Sequence, residues 1–420
     1  MKKKLFLSLT CLLLATLMAL SLTSCGGLAI KASALSSNYT RKATEEGEVT
    51  EAFIRAASEF SFDLFEGTLE QTKPGENLLV SPLSALLCLA LITNGASGET
   101  LAQLEELLGM DVETLNKAAY AYANSLTSGD GYKVTLANSV WFKATETLKV
   151  DEEYLQTCAD WYHAEQFAAP FDASTVKDIN GWVKENTDGM IDSIIKEIPR
   201  TAVMYLINAL VFDAKWQSEY EKKQIQDDIF TNYNSTETPV KMLCSSEGTL
   251  LKVEDGIGFA KNYKGGKYSF AALLPDEGQD IYDFADSLDG EDWEAMWETK
   301  EYRPINVKIP EFSYDTGFSL KEILKDLGAT DMFDDWGADF SAMATSDIGN
   351  IYCSDVAQKC FIDVSRNGTK AAAVTWATMD TAESAEPLDP INIFLDRPFV
   401  FAIVDNATGL PLFVGLVSNL

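Results

Sequence analysis

The side chains of residues 369–378 alternate between small and larger types, which predicts a strand with only small side chains on one face. In steps of two from Thr369 the chain reads Thr, Ala, Ala, Thr, Ala, and the positions between include Lys370, Val374 and Trp376. Successive side chains of a strand point to opposite faces, so the small residues share one face. The β-branched and aromatic residues favour a strand over an alanine-rich helix. The stretch is therefore suited to entering a tightly packed sheet.

Helical spacing of apolar residues dominates the first third of the chain. One predicted helix face is formed by Phe53, Ala57, Phe60 and Leu64. The segment "SPLSALLCLALITNGA" (81–96) offers Ser81 as the N-cap, Pro82 in the first turn and Gly95 as the stop. A further helix is marked by Leu101, Leu104, Leu107 and Leu108 and is ended by Gly109.

Strand patterns follow these helices. The segments "VTLANSVWF" (134–142) and "VMYLINALVF" (203–212) are apolar on both faces, as central strands are. The last segment, "PFVFAIVDNATGLPLFVGLV", reads as two apolar strands around an Asn-Ala-Thr-Gly turn. Helices and strands are segregated rather than regularly alternating. The predicted fold class is α+β with large, mostly antiparallel sheets.

The N-terminus predicts export. Lys2, Lys3 and Lys4 precede an apolar run that ends at Leu22, and Cys25 follows small residues. The pattern is typical of a bacterial lipoprotein signal peptide over residues 1–24, with lipidation at Cys25. An ordinary secretory signal with a chance cysteine is the alternative. Residues 25–50 are predicted to be a flexible tether and residues 51–420 one domain, outside the cell and reaching the membrane only through the lipid.

Charge and cysteine usage exclude several classes of protein. The formal net charge is −31, which repels nucleic acid, and there is a single histidine. The five cysteines beyond Cys25 are odd in number and widely spread, so they predict buried free thiols rather than disulfides or a zinc site. These cysteines are Cys88, Cys158, Cys244, Cys353 and Cys360. We expect no metal and no cofactor.

No segment of the sequence predicts a catalytic centre. The one histidine, His163, has no accompanying G-x-S-x-G and is interpreted as a surface or helix-end residue. The segment "STVK" (174–177) matches a four-residue β-lactamase pattern, and "KGG" (264–266) only loosely suggests a companion motif. Ser174 is therefore interpreted as a helix-cap residue, and the chain is not expected to be an enzyme.

Several segments occur in one characteristic order over residues 51–420. They are "NLLVSPLSALLCLALITNGASGETLAQLEELLG", "LANSVWF", "INGWVKENTDGMI", "LINALVFDAKW", "ALLPDEG", "VKIPEFSYD", "LGATDMF", "FIDVSRNGTKAAAVTWATM" and "PFVFAIVDNATGLPLFVGLVSNL". Each motif is modest, but the ordered set closely resembles the serpins, the serine protease inhibitor superfamily. The resemblance implies the serpin fold, with three β-sheets, about nine helices and an exposed reactive-centre loop.

The resemblance also implies a mechanism of protease inhibition. In serpins a protease cuts the reactive loop and forms an acyl-enzyme, and the cut loop then inserts into the main sheet as an additional strand. The insertion distorts the protease, so the acyl bond is not hydrolysed. The implied partner is a serine protease, and we expect the chain to be a monomer.

Family motifs carry over to named positions of this sequence. The hinge of the loop corresponds to Gly368, Thr369, Lys370, Ala371, Ala372, Ala373, Val374 and Thr375. The residues beneath the main sheet, called the shutter, correspond to Ser81, Ser84, Asn208 and Gln358. The breach, at the top of the sheet, corresponds to Trp216.

Two positions depart from the family pattern. Lys370 stands where many inhibitory serpins have Glu, and Gln358 stands where many members have a histidine.

The position of the scissile bond follows from family spacing. Counted from Gly368, the bond lies between Ala382 and Glu383. Counted back from Pro398, it lies nearer Pro387, because the loop is longer than usual. The hinge count is preferred since the depth of insertion is set from that side. The alternative reactive residues are Met379, Thr381 and Glu386.

The loop sequence predicts the class of protease. Ala382 suits a small specificity pocket of the elastase type, and Met379 would suit elastase-like or chymotrypsin-like enzymes. No Arg or Lys lies between Lys370 and Arg397, which disfavours trypsin-like proteases. Two functions follow: a suicide inhibitor of serine proteases, or a non-inhibitory serpin-fold surface binding protein. A hydrolase is a distant third.

Overall fold

The computed structural model describes residues 31–40, 42, 47–126, 128–347, 349–369 and 389–420. Within these ranges the chain forms nine α-helices. They are α1 (Glu51–Glu70), α2 (Pro82–Thr93), α3 (Gly98–Leu107), α4 (Val112–Ser125), α5 (Glu152–Thr157), α6 (Ala173–Asn186), α7 (Ile281–Asp286), α8 (Gly290–Glu298) and α9 (Lys321–Asp326). None of the helices in these ranges is both long and apolar enough to cross a membrane.

Eighteen strands accompany the helices in the same ranges. They are β1 (Ser33–Ala34), β2 (Leu78–Val80), β3 (Tyr132–Lys143), β4 (Lys149–Val150), β5 (Glu165–Ala169), β6 (Met204–Lys215), β7 (Ile225–Thr231), β8 (Glu237–Val253), β9 (Gly256–Asn262), β10 (Tyr268–Pro275), β11 (Glu301–Pro310), β12 (Phe312–Ser319), β13 (Ala344–Thr345), β14 (Asp355–Ser365), β15 (Gly368–Thr369), β16 (Ile391–Phe394), β17 (Phe399–Asp405) and β18 (Pro411–Val417). The predicted strands at 134–142, 203–212 and the C-terminus are all present.

The strands form three sheets, most of whose pairings are antiparallel. The main sheet has seven strands in the order β1-β5-β3-β6-β15-β14-β12. The second sheet has the order β16-β11-β8-β9-β10-β17-β18-β2, with β7 paired to β8, and β4 and β13 form a small third sheet. The predicted α+β class with mostly antiparallel sheets is confirmed.

Two apolar clusters lie on opposite faces of the main sheet. The larger one includes α2, all of whose residues are buried, as expected for a helix that is apolar on every side. The smaller one packs Ile179 and Trp182 of α6 against Trp141, Ile207 and Ala357 of the main sheet. The helix α6 therefore covers the face of β6 and β14 that is turned away from the main core.

One helix-cap prediction is wrong. Ser174 is not the cap of α6: Asp172 is the N-cap, and its carboxylate accepts hydrogen bonds from the backbone N–H and hydroxyl of Ser174.

Two residues of the segment predicted to be a tether pair with the domain. Ser33 and Ala34 pair with β5 at the edge of the main sheet. Backbone pairing requires no apolar periodicity, so the sequence pattern did not indicate this contact.

The solitary histidine and four of the five cysteines lie where the sequence predicted, and Cys244 is more exposed than predicted. His163 is exposed and ends the π-helical turn Cys158–Tyr162. Cys88, Cys158 and Cys360 are buried free thiols whose pKa values are raised by burial. Cys353 is also buried, and Cys244 is half-buried.

Candidate functional site

The candidate site is the seam between β6 and β14, the two central strands of the main sheet. At one end they pair in parallel, with Asp355–Ala357 beside Tyr205–Ile207. At the other end β15 lies between them and pairs antiparallel with both strands. Among the residues that the structure describes, β6 and β14 are not joined by direct pairing between these two ends. The seam is therefore the place where the sheet can receive a strand.

The first two residues of the hinge already occupy the seam. Gly368 pairs with Lys215 on β6 and with Ser365 on β14, and Thr369 follows it in register. Gly368 has φ +145°, and a Cβ there would lie 2.1 Å from the carbonyl oxygen of Ala214. Only glycine fits such a close backbone approach at that dihedral angle. The site where the loop meets the sheet therefore requires Gly368.

The side chain of Thr369 points into the protein. Thr369 is 4% exposed, and its hydroxyl lies 2.6 Å from the Tyr263 hydroxyl. Burial raises the pKa of Tyr263, so the phenol stays neutral and available for hydrogen bonding. A small polar residue at position 369 thus fills a closed space with its hydroxyl satisfied.

The shutter residue Gln358 holds the start of α2. Its Oε1 accepts a hydrogen bond from the Ser81 N–H at 2.9 Å, and its Nε2 donates to the Ser81 carbonyl oxygen at 2.8 Å. Both residues are buried. The amide of Gln358 therefore satisfies two backbone groups of Ser81 that lie away from water.

Ser81 does not cap α2 with its side chain, contrary to the prediction. Ser81 occupies the N-cap position, but its hydroxyl donates to the Leu412 carbonyl oxygen at 2.8 Å. The hydroxyl thus joins the helix to β18 of the second sheet. Ser84 is buried one turn further along α2.

Asn208 lies at the level where the parallel pairing stops. The register pairs Ile207 with Ala357, so the next residues on the two strands are Asn208 and Gln358. The Asn208 Nδ2 donates to Oδ1 of Asn138, its direct partner on β3. Amide side chains thus occupy the middle of the seam, where apolar packing would otherwise be continuous.

The breach residue Trp216 contacts the turn that precedes the hinge. Its backbone N–H donates to the Asn367 carbonyl oxygen at 3.2 Å, and its indole Nε1 donates to the Ser365 carbonyl oxygen at 2.8 Å. The indole also stacks on Tyr263 at 4.7 Å with an interplanar angle of 5°. The same aromatic pair therefore contacts the turn and, through Tyr263, Thr369.

The remaining sequence-predicted site residues lie outside the described part of the chain. They are the lipidation residue Cys25, the hinge residues Lys370, Ala371, Ala372, Ala373, Val374 and Thr375, the proposed reactive residues Ala382 and Glu383, and the alternatives Met379, Thr381 and Glu386. The described residues bring together Gly368, Thr369 and Trp216 at one end of the seam. They place Asn208, Gln358, Ser81 and Ser84 at its middle.

Sequence reasoning missed Asn138 and Tyr263. Asn138 lies within the apolar strand "VTLANSVWF", and its polar side chain in the middle of that strand was the only signal of a contact across the sheet. Tyr263 follows β9 and lies 106 residues from Thr369 in the chain. No local pattern indicates such a contact.

Replacing Gln358 by Ala should destabilise the intact protein, because the buried N–H of Ser81 loses its partner and the Ser81 carbonyl keeps only the hydrogen bond from the Ala85 N–H. We expect the free energy of unfolding to fall by roughly 1–3 kcal/mol, measured from urea unfolding followed by tryptophan fluorescence. Lys359→Ala is the control. Lys359 pairs with Asp315 at 3.3 Å on the other face of β14, and its loss should change stability by less than about 1 kcal/mol. Equal effects of the two variants would contradict the assignment.

Comparison with known proteins identifies the family. The family model described as serpin (serine protease inhibitor) matches residues 55–420. The crystal structure of a thermophilic serpin, tengpin, in the native state is 41% identical, with a TM-score of 0.87, and the match covers 93% of this chain and 100% of that one. The latent-state structure of tengpin gives 40% identity and a TM-score of 0.79, with 89% and 100% covered.

Among curated relatives, leukocyte elastase inhibitor of Equus caballus is 29% identical over 388 residues, which is 88% of this chain and 100% of the relative. The family match includes β6, β14 and the seam between them. The ordered motifs of the sequence and the hinge paired within the main sheet agree with them. The chain belongs to the serpin family.

Proposed function

We propose that this serpin is an irreversible, suicide-type inhibitor of serine proteases, with elastase-like enzymes as the preferred class. The observation that carries the proposal is the pairing of Gly368 and Thr369 on both sides, between β6 and β14. The intact protein thus holds the first two residues of an additional strand. A reactive loop that continues from Thr369 can extend the same strand.

The proposed reaction begins at the peptide bond between Ala382 and Glu383. The serine hydroxyl of the protease attacks the carbonyl carbon of Ala382, and the C–N bond to Glu383 breaks. The amino group of Glu383 takes the proton and leaves, so that Ala382 stays esterified to the protease serine. The severed hinge side is then free to move, and the ester carries the protease with it.

Insertion is favoured by the groups that line the seam. The facing edges of β6 and β14 offer backbone N–H and C=O groups that a new strand can pair with. The alternate small side chains that begin with Thr369 can face inward without overpacking the core. Thr369 is already buried, and alternate side chains of a strand point to the same face. In a strand that continues from Thr369, every second residue would therefore face inward.

The preferred protease class rests on the loop sequence and on a relative. Ala382 suits a small specificity pocket, and the similarity to a leukocyte elastase inhibitor supports the same class. Met379 would extend the range to chymotrypsin-like enzymes. The alternative function, a non-inhibitory surface binding protein, is favoured by Lys370, which replaces the Glu common in inhibitory members.

Incubation with pancreatic elastase should give a covalent complex that survives boiling in SDS, because the ester bond is trapped rather than hydrolysed. The protein nicked in its loop should also melt at a higher temperature than the intact protein, since the inserted strand adds pairing and burial. Gel electrophoresis and calorimetry check these outcomes, with trypsin as the comparison protease. Complete cleavage without a complex, and no gain in melting temperature, would support the non-inhibitory alternative.

Thr369→Arg should convert the inhibitor into a substrate. A long charged side chain must enter the closed space beside Tyr263, and overpacking of about 1–3 kcal/mol would slow insertion roughly 5- to 150-fold. The ester then has time to hydrolyse, so more inhibitor is consumed per mole of elastase inactivated, as titration measures.

The control for this variant is Thr345→Arg, at an exposed position of β13. The Thr345→Arg variant should be consumed in the same amount per mole of elastase inactivated as the unaltered protein. Circular dichroism and the rate of loop cleavage show whether Thr369→Arg is folded. A folded Thr369→Arg variant that inhibits at the original stoichiometry would show that a small side chain in the closed space beside Tyr263 is not needed for insertion.

A further inference from the structure

A buried lysine lies behind the hinge. The side chain of Lys261, at the end of β9, is 4% exposed, and its Nζ lies 2.6 Å from Oε1 of Glu247 on β8. Both side chains are more buried than those of any other ion pair among the described residues. A buried charge is costly and is rarely found without a partner.

The ammonium group of Lys261 faces two aromatic rings. Its Nζ lies 4.8 Å from the ring centroid of Tyr220 and 5.4 Å from that of Trp216. These distances are in the range of cation–π attraction, which is strongest where water is excluded. The Tyr220 hydroxyl lies 3.0 Å from Ser245 Oγ, which donates to Glu247 at 2.6 Å. The cation, the carboxylate and the two rings thus form one connected set, which we name the Lys261 network.

The Lys261 network holds the turn that leads into the hinge. Three successive carbonyl groups, those of Ser365, Arg366 and Asn367, accept hydrogen bonds from its aromatic residues. The Ser365 carbonyl accepts from the Trp216 indole, and the Asn367 carbonyl accepts from the Trp216 backbone at 3.2 Å. The Arg366 carbonyl accepts from the Tyr220 backbone at 3.2 Å. The turn is therefore fixed by residues that Lys261 contacts directly.

The positive charge of Lys261 persists despite its burial. Burial on its own lowers the pKa of Lys261, but the Glu247 carboxylate and the Tyr220 hydroxyl outweigh this effect, and the pKa lies above its ordinary value. The cation is therefore present at neutral pH. A neutral side chain of the same length would keep the packing but lose both the ion pair and the cation–π contacts.

We infer that Lys261 is a positioning residue for loop insertion, because it holds Trp216 and Tyr220 where they keep Gly368 and Thr369 paired in the seam. The inference rests on the proposed function. Residues that are already ordered in the seam have already lost their backbone entropy. Each later hinge residue can then extend an existing strand. Without this start, both edges of the seam must capture a free chain end, which is slower.

Lys261→Met tests the inference, with Lys308→Met as a matched control. Lys308 also pairs with a carboxylate, Asp228 at 2.6 Å, and lies over an aromatic ring, Phe394 at 4.8 Å. Lys308 lies on β11 of the second sheet, and neither its ion pair nor its ring contact involves the turn that leads into the hinge. Lys261→Arg, which restores the cation, is the rescue variant.

Two measurements are made on each variant. The first is the amount of inhibitor consumed per mole of elastase inactivated, and the second is the rate at which a loop-nicked sample gains heat resistance. We expect Lys261→Met to gain heat resistance roughly tenfold more slowly and to consume several times more inhibitor. Lys308→Met should match the unaltered protein in both, and Lys261→Arg should recover most of the lost rate.

Three outcomes would overturn the inference. The first is a Lys261→Met variant that melts earlier in the intact state but gains heat resistance after nicking at the unaltered rate, because Lys261 would then only stabilise the fold. The second is a faster gain of heat resistance than in the unaltered protein. The third is an equal effect of Lys308→Met. If the unaltered protein forms no complex with elastase but still gains heat resistance after nicking, only the proposed inhibition fails. The rates at which the nicked variants gain heat resistance then still decide the role of Lys261.

Discussion

The seam between β6 and β14 keeps the core closed, although in the described residues the two strands pair directly only at one end. Three rungs of parallel pairing close it at one end, and Gly368 and Thr369 separate the strands at the other. A central pair of strands in an ordinary sheet is joined along its length, because unpaired backbone groups in a buried sheet are costly. In the described residues, β6 and β14 do not pair directly between these two ends. The buried Thr369 and the polar side chains of Asn208 and Gln358 line this part of the seam.

Polar contacts lie beside the point where the direct pairing of β6 and β14 stops. Gln358 bonds Ser81 of α2 across 277 residues of chain, and Asn208 bonds Asn138 on the neighbouring strand. Hydrogen bonds are directional, so they fix one register while the strands are closed. They can also be exchanged as the strands move, whereas interlocked apolar side chains resist sliding.

On the outer face, Ile207 and Ala357 pack under α6. A strand that enters to this depth must therefore also shift the packing of α6.

The helices, the long strands and the hinge could be predicted because their signals are local. Period-two alternation predicted that Thr369 faces inward, and it is buried. The central strands were predicted from continuous apolar runs, and α2 from its proline and its apolar length. Cap assignments were less accurate. Ser174 is preceded by Asp172, a better acceptor two residues earlier, and the Ser81 hydroxyl bonds Leu412 instead of its own helix. In both places another acceptor took the hydrogen bond: the Asp172 carboxylate in the first case and the Leu412 carbonyl in the second. The propensity of a single residue does not show such a competitor.

The order of elements, the α+β class and the membership of a protease-inhibitor family are all encoded along the chain, since they follow from periodicity, turn residues and motif order. Contacts between distant segments are different. Tyr263 meets Thr369, and Lys261 lies under Trp216 and Tyr220, because β9 of the second sheet passes behind the end of β6. Neither a lone tyrosine nor a lone lysine in a strand carries a local signal of such a neighbour. The hinge and Trp216 could therefore be identified in the sequence, while the contacts of Tyr263 and Lys261 could be identified only from the tertiary structure, because they join two sheets.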